Sequence, residues 1–330
     1  MSLKKDINYS IWCDFIEREF LEDDFQTLIE KNIIDGATSN PAIFEQSITN
    51  STAYTQHLNM LQANDNKTIY EELAIADIKR AAELLKPLHD EDTNDGYISL
   101  EVDPMLCDDM MGTIEEGARL HSTIEFDNLM IKIPATEAGY GAMTHLTALG
   151  INVNATLVFS PTQAIECAKA LSTGIKQSGK DTKGVISVFV SRFDRAIDDI
   201  LRSKNLETSK LGIINATKCY HEVEKFANAN IRTLFASTGV KDDHLVKSYY
   251  VDNLIFPHSI NTAPYATIID WVANGQKNPS EILEEIECDR YFELLKKNNI
   301  NVEMLYGQLL KDGLSTFKVS FQELLKKVKL

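Results

Sequence analysis

The sequence predicts an α/β fold of the (β/α)8 TIM-barrel class with additional helices, and three observations carry that expectation. Eight short β-patterned stretches, near residues 11, 34, 98, 130, 153, 187, 234 and 254, are each followed by a helical pattern. Such a barrel takes about 250 residues, so a chain of 330 has room for extra helices. Polar residues recur on one parity towards the C-terminal ends of the stretches, which is where a barrel of this kind carries its site. A doubly wound open sheet is the competing arrangement.

In chain order, residues 11–14 put Trp12 and Asp14 on one face, and residues 17–32 have helical spacing through Phe20, Phe25, Leu28 and Ile29. Residues 33–44, IIDGATSNPAIF, run from a strand into a turn, with Pro41 biasing Asn40 towards an extended conformation. From about 45 to 95 the pattern is helical with polar breaks, strongest over 68–88. Residues 97–103, YISLEVD, alternate Ile98, Leu100 and Val102 with Ser99, Glu101 and Asp103, and a helix is expected over 105–122. The next strand, NLMIKIPAT at 128–136, has Leu129, Ile131 and Ile133 on one parity and Met130 and Lys132 on the other. A helix over 137–149 closes on Gly150, as a C-terminal cap glycine would close it.

Residues 151–159, INVNATLVF, repeat the pattern, with Asn152, Asn154 and Thr156 against Val153, Ala155 and Leu157. Ser160-Pro161 then supplies a cap and a first helical residue. Residues 184–192, GVISVFVSR, set Ile186, Val188 and Val190 against Ser187, Phe189 and Ser191. Helical patterns at 192–203 and 207–228 lead to short strands at 232–237 and 253–256, and amphipathic helix is expected from 279 onward. No repeat, low-complexity tract or linker divides the chain. One barrel domain over residues 1–330 is therefore expected, with a helical elaboration at about 45–95 and C-terminal helices at about 279–330.

Composition excludes several functions. Lys plus Arg number 33 against 49 Asp plus Glu, and a net charge of −16 argues against nucleic acid or an anionic membrane as partner. The opening MSLKKDINYSIWCD has no leader-like apolar run, and nothing approaches the ~20 apolar residues that span a bilayer, so a cytoplasmic location is expected. Five scattered cysteines with no CxxC pair read as buried free thiols. Seven histidines form no ligand spacing, so no metal is expected, and no GxGxxG opens a helix, so neither is a dinucleotide cofactor. Residues 174–181, GIKQSGKD, imitate a phosphate loop, but they follow a helix and end in Asp, and they read as a helix exit.

Lys132 is the anomaly. At a strand end it would be explained most simply by snorkelling to water. If both faces of the strand are covered, burial favours the neutral amine, which is the nucleophilic form. The barrel rule gathers Asp14, Asn40, Glu101, Lys132, Asn154, Thr156 and Ser187 at one mouth. An amine among carboxylates, amides and hydroxyls suits imine catalysis: it attacks a ketone, and the protonated imine then accepts the electrons of a breaking carbon-carbon bond. Asp14 and Glu101 are the available proton carriers, although for each an ion pair with Lys132 is the plainer explanation. Asn40 and Asn154 can both donate and accept hydrogen bonds to a polyhydroxylated substrate.

Six motifs in order, DGATSNPAIF, SLEVDP, NLMIKIPATEAG, GINVNATLVFS, SVFVSRFD and LFASTGVKD, closely resemble the transaldolases, in particular the longer bacterial branch. The resemblance implies transfer of a dihydroxyacetone unit from sedoheptulose 7-phosphate to glyceraldehyde 3-phosphate in the non-oxidative pentose phosphate pathway, by a monomer or homodimer. Lys132 takes the position of the imine-forming lysine, Asp14 that of the acid/base, and Glu101 that of the carboxylate acting through a water that Thr156 helps to hold. Asn40 and Asn154 match residues that bind the dihydroxyacetone moiety, with Ser187 and Phe189 lining the same pocket. Arg192 matches a phosphate-binding arginine; where a second is expected this chain reads STGVK, so Lys241 stands in as a point charge without a bidentate fork. Two alternatives accompany this reading: an aldolase that releases free dihydroxyacetone, and a non-catalytic sugar-phosphate-binding barrel. Aldolases resembling this family carry Tyr where Phe189 stands, which favours transfer.

Overall fold

A computed structural model describes residues 3–242 and 244–329. Its centre is a closed barrel of eight parallel strands in sequence order. These are β1 Tyr9–Cys13, β2 Gly36–Thr38, β3 Tyr97–Glu101, β4 Leu129–Pro134, β5 Asn152–Val158, β6 Gly184–Phe189, β7 Ile231–Ala236 and β8 Ser259–Ala263. Closure between β1 and β8 pairs Tyr9 with Ser259 through Cys13 with Ala263.

Strand parity sorts the side chains into two apolar layers. Ile98, Leu100, Leu129, Ile131, Ile133 and Val153 pack outward with the surrounding helices, whereas Trp12, Tyr97, Met130, Val185, Leu234 and Ile260 fill the barrel. Trp12 is accommodated because β2 offers Gly36 beside it, where a Cβ would come within 2.7 Å of the indole. The barrel floor is polar. The guanidinium of Arg232, 4% exposed, donates to Ser10 Oγ at 2.7 Å and to the Ser259 carbonyl at 2.8 Å, and pairs with Asp95 at 3.2 Å. Lys4 pairs with Asp95 and Asp35 from below.

The helices start and stop largely where the local chemistry directs. Ser160 and Gln163 form a capping box ahead of Pro161–Ser178. That helix exits at Gly179 in the left-handed region, so the phosphate-loop imitation is a helix end. Gly150, φ +85°, follows Glu137–Ala148 in the same way. The elaboration between β2 and β3 consists of Pro41–Asn50, Thr55–Leu61 and the long helix Asn66–Glu91. All five cysteines are buried and free. No helix among the described residues is long and apolar enough to cross a membrane.

Several boundaries differ from expectation. The stretch 253–256 is no strand: Leu254, Ile255 and Phe256 are buried in a loop, and the Ile255 amide and carbonyl bond to Ser280 instead of to a neighbouring strand. The eighth strand is instead the polar SINTA of Ser259–Ala263. The 17–32 helix breaks at Asp23 into Arg18–Glu22 and Asp24–Glu30. The strand expected from residue 33 is confined to Gly36–Thr38. The helix expected from 105 begins at Met110, after a 3-10 turn at Pro104–Leu106. The 207–228 pattern is helical only over Leu211–Glu224, and the C-terminal segment forms Glu285–Lys297 and Val302–Lys327.

Candidate active site

At the C-terminal mouth lies a cavity of about 330 Å3 lined by Asp14, Thr38, Asn40, Lys132, Thr156, Ser187, Phe189, Arg192, Ser237, Lys241, Thr262, Thr316 and Phe317, among others. Lys132 reaches it from β4, and its residue is only 5% exposed. It does not snorkel. Its Nζ donates to the Ser39 carbonyl at 2.9 Å and lies 3.4 Å from Glu101 Oε2, on the neighbouring strand where Glu101 pairs in register with Lys132.

Burial pushes the Glu101 carboxyl up to about 7, with Lys132 pulling the other way and Asp14 adding to the rise. Asp14, from the end of β1, is also raised by burial, and Lys132 and the Thr38 hydroxyl partly offset this. Thr38 donates to Asp14 Oδ1 at 2.7 Å and shares a 2.8 Å contact with Thr262 on β8. Two carboxylates thus flank one amine, both held closer to neutrality than in water. Such groups are suited to moving protons near pH 7.

Asn40 caps the helix Pro41–Asn50: its Oδ1 accepts from the amides of Ala42 at 3.0 Å and Ile43 at 3.1 Å. The cap commits the oxygen and leaves the NH2 for the cavity. Asn154 has the expected parity but lies one layer deeper. It is fully buried, donates to Ser99 Oγ at 3.0 Å and accepts from Ser187 Oγ at 2.7 Å, so from beneath the cavity it positions Ser187, which lines it.

Thr156 lies on β5 just before a bulge, where the β5–β6 register shifts between Ala155 and Val158 and Leu157 takes φ +57°. Gln163 secures the distortion, donating to the Ala135 carbonyl at 2.9 Å and the Leu157 carbonyl at 3.2 Å. Among the described residues the Thr156 hydroxyl is buried without a hydrogen-bond partner, while Glu101 Oε2 faces only the Lys132 amine at 3.4 Å. A buried hydroxyl left without a partner favours a polar guest at this point of the site.

At the other side of the cavity, Arg192 stands in the first turn of Ser191–Ser203 with its Cζ 5.0 Å from the Phe189 ring centroid. Burial, and then neighbouring Arg195, disfavour its charge, and Asp312 offsets them. Lys241 is exposed at the rim. Neither Arg192 nor Lys241 has an ion pair among the described residues.

Sequence reasoning missed Thr38, Ser39 and Thr262. Thr38 shares the axis-facing parity of β2, which was detectable; Thr262 was hidden by the misplacement of the eighth strand. Thr316 and Phe317 come from the C-terminal helix and gave no local signal. Among the described residues no cluster of His, Cys, Asp and Glu could hold a metal ion.

A closed parallel barrel whose C-terminal mouth holds a cavity lined by a buried amine and the Asp14 carboxylate, with Glu101 set against that amine, defines the class of barrel enzymes. The family model described as Transaldolase/Fructose-6-phosphate aldolase matches residues 11–328, and the chain belongs to this family. A transaldolase of Helicobacter pylori (strain ATCC 700392 / 26695) is 47% identical over 317 residues, covering 96% of this chain and 98% of that relative. A transaldolase of Campylobacter jejuni subsp. jejuni (serotype O:23/36, strain 81-176) is 43% identical over 331 residues, covering 97% and 99%.

Proposed function

We propose that the protein is a transaldolase that moves a dihydroxyacetone unit between sugar phosphates, from sedoheptulose 7-phosphate to glyceraldehyde 3-phosphate, by way of an imine on Lys132. The observation that carries this reading is the buried Lys132 amine, held 3.4 Å from Glu101 and opening on a cavity whose far side carries Arg192 and Lys241. A net charge of −16 does not prevent anion binding when unpaired cations are concentrated at one rim.

In this mechanism the neutral amine attacks the ketose carbonyl carbon, a C–N bond forms, and the carbonyl oxygen leaves as water. Glu101, working through a water held by Thr156, handles the protons of that dehydration and of its reversal. Asp14 takes the proton of the substrate hydroxyl, the adjacent C–C bond breaks, and its electrons pass to the imine while an aldehyde departs. The retained carbon then attacks the acceptor aldehyde, whose oxygen takes the proton back from Asp14. Asn40 and Ser187 bind the hydroxyls of the three-carbon unit, with Asn154 orienting Ser187, and Phe189 offers no hydroxyl that could protonate the retained carbon. A cytoplasmic enzyme, monomeric or homodimeric, goes with this reading.

Borohydride reduction in the presence of fructose 6-phosphate is expected to fix a three- or six-carbon adduct on Lys132, located by peptide mass spectrometry. Lys132→Met should lose the adduct and at least about 10^4-fold in activity, the scale seen when a nucleophile is removed. A folded Lys132→Met protein that retains turnover would sink the assignment, and fast release of dihydroxyacetone without an acceptor would move the protein to the lyase side of its family.

A further inference from the structure

The helix Val302–Lys327 packs against Pro41–Asn50 and touches β5 at the mouth. Along its length the apolar side chains change company. Phe321, Leu324 and Val328 pack with the outer layer, whereas Leu309 and Phe317 join the barrel-filling cluster with Phe159 and Phe189. Phe317 is 5% exposed, lines the cavity beside Thr316, and has its ring centroid 5.8 Å from Lys132 Nζ.

One turn earlier the helix carries Gly313, where a Cβ would lie 3.0 Å from Leu157 Cδ2 and 3.3 Å from Arg192 Nη1. The missing side chain lets the helix lie against the bulge of β5 and against Arg192. It thereby brings Phe317 over the amine.

We propose that Phe317 decides the fate of the covalent three-carbon unit, keeping bulk water from the carbon that has just lost its aldehyde so that an acceptor aldehyde, not a proton, reaches it. The proposal rests on the transaldolase reading above. Once the C–C bond has broken, the carbon next to the imine carries the electron pair, and two outcomes compete. In transfer it forms a new C–C bond to the acceptor, and the aldehyde oxygen becomes a hydroxyl. In release it takes a proton from water; a water molecule then adds to the imine carbon, the C–N bond breaks, and Lys132 returns as an amine with one dihydroxyacetone freed. An aromatic face within about 6 Å of the nitrogen occupies the space through which solvent would deliver that proton.

The test uses the full chain with Phe317→Ala and Phe317→Leu. It measures transfer from fructose 6-phosphate to erythrose 4-phosphate, dihydroxyacetone release without acceptor, borohydride trapping on Lys132, and thermal unfolding. Expected is a retained adduct with the release-to-transfer ratio raised about tenfold in the alanine variant and about threefold in the leucine variant. A packing role alone would lower both rates together; an adduct retained at an unchanged ratio in both variants overturns the proposal. Should the alanine variant fail to fold, the leucine variant decides by its ratio. If the wild-type protein itself gives no adduct, the imine reading falls and this proposal with it, an outcome distinct from an unchanged ratio.

Discussion

Lys132 Nζ and Glu101 Oε2 face each other at 3.4 Å from adjacent strands, in a place where both residues are at most 6% exposed. The carboxylate charge is not fully at home there. Burial dominates for Glu101 and lifts it from about 4.5 to about 7 despite the neighbouring amine.

That shift has two measurable consequences. An acid held above its unfolded value keeps its proton in the native state after the unfolded chain has lost it, so Glu101 lowers stability as pH rises from about 4.5 to about 7. Thermal melting across that window should show a flatter profile for Glu101→Gln than for the wild type. The ionised carboxylate is the form that activates water, so kcat/KM should fall as pH drops through about 7, and Glu101→Gln should lose that ionisation from its profile. A wild-type profile with no ionisation near 7 would contradict the role given to Glu101.

Asn40 performs two tasks with two ends of one amide. Asn40→Ala should cost about 1 kcal/mol through the lost helix cap and also weaken donor binding. Asn40→Asp retains the capping oxygen but removes the NH2. It should therefore preserve the melting temperature while raising KM for the ketose about fivefold, the effect of one lost hydrogen bond of ~1 kcal/mol. Equal loss of stability in both variants would show that the cap was misread.

Arg192 and Lys241 should separate by geometry. Arg192→Gln is expected to raise KM for phosphorylated substrates by roughly 10- to 100-fold, as for a charge-assisted bond of about 1.5–3 kcal/mol. Lys241→Gln acts through an exposed charge and should give a smaller rise that shrinks with added salt. Gly313→Ala presses on Arg192 Nη1 and should raise the same KM by severalfold, whereas an unchanged KM would show that the helix yields without disturbing the guanidinium.

At the floor of the barrel, Asp95→Asn leaves the buried Arg232 without its counter-charge. The loss should be about 3–5 kcal/mol in chemical denaturation, with kcat and KM little altered because the cavity lies at the opposite end. A variant as stable as the wild type would mean that the carbonyls of Asn8, Asn94 and Ser259 suffice for Arg232.

How much of this was legible in the sequence depended on where each strand's neighbours lay. Strands such as YISLE and LMIKIP alternate sharply, because their outward faces pack on helices while their inward faces approach the cavity, and parity alone placed Glu101 and Lys132. SINTA did not stand out, since its inward Thr262 and its Asn261, which accepts from Thr238, are polar, whereas the buried run LIF imitated a strand beside it. Parity also gives a direction without a depth: Asn152, Asn154 and Thr156 share one face, yet Asn152 donates to the Asp127 and Leu129 carbonyls, Asn154 lies beneath the cavity, and only Thr156 lines it. Phe317 could not be found this way, because an amphipathic helix announces that it buries a face and not which surface receives it.

The C-terminal helix separates two events that usually coincide. Hydrogen-bonded closure of the barrel is complete once β8 has paired with β1, but the cavity lacks its Phe317 wall until a much later segment has docked across the mouth. In chain order, all eight strands precede the helix that completes the chamber. The amine and the aromatic wall that covers it are therefore supplied by segments far apart in the chain, one before the barrel closes in sequence and one after it.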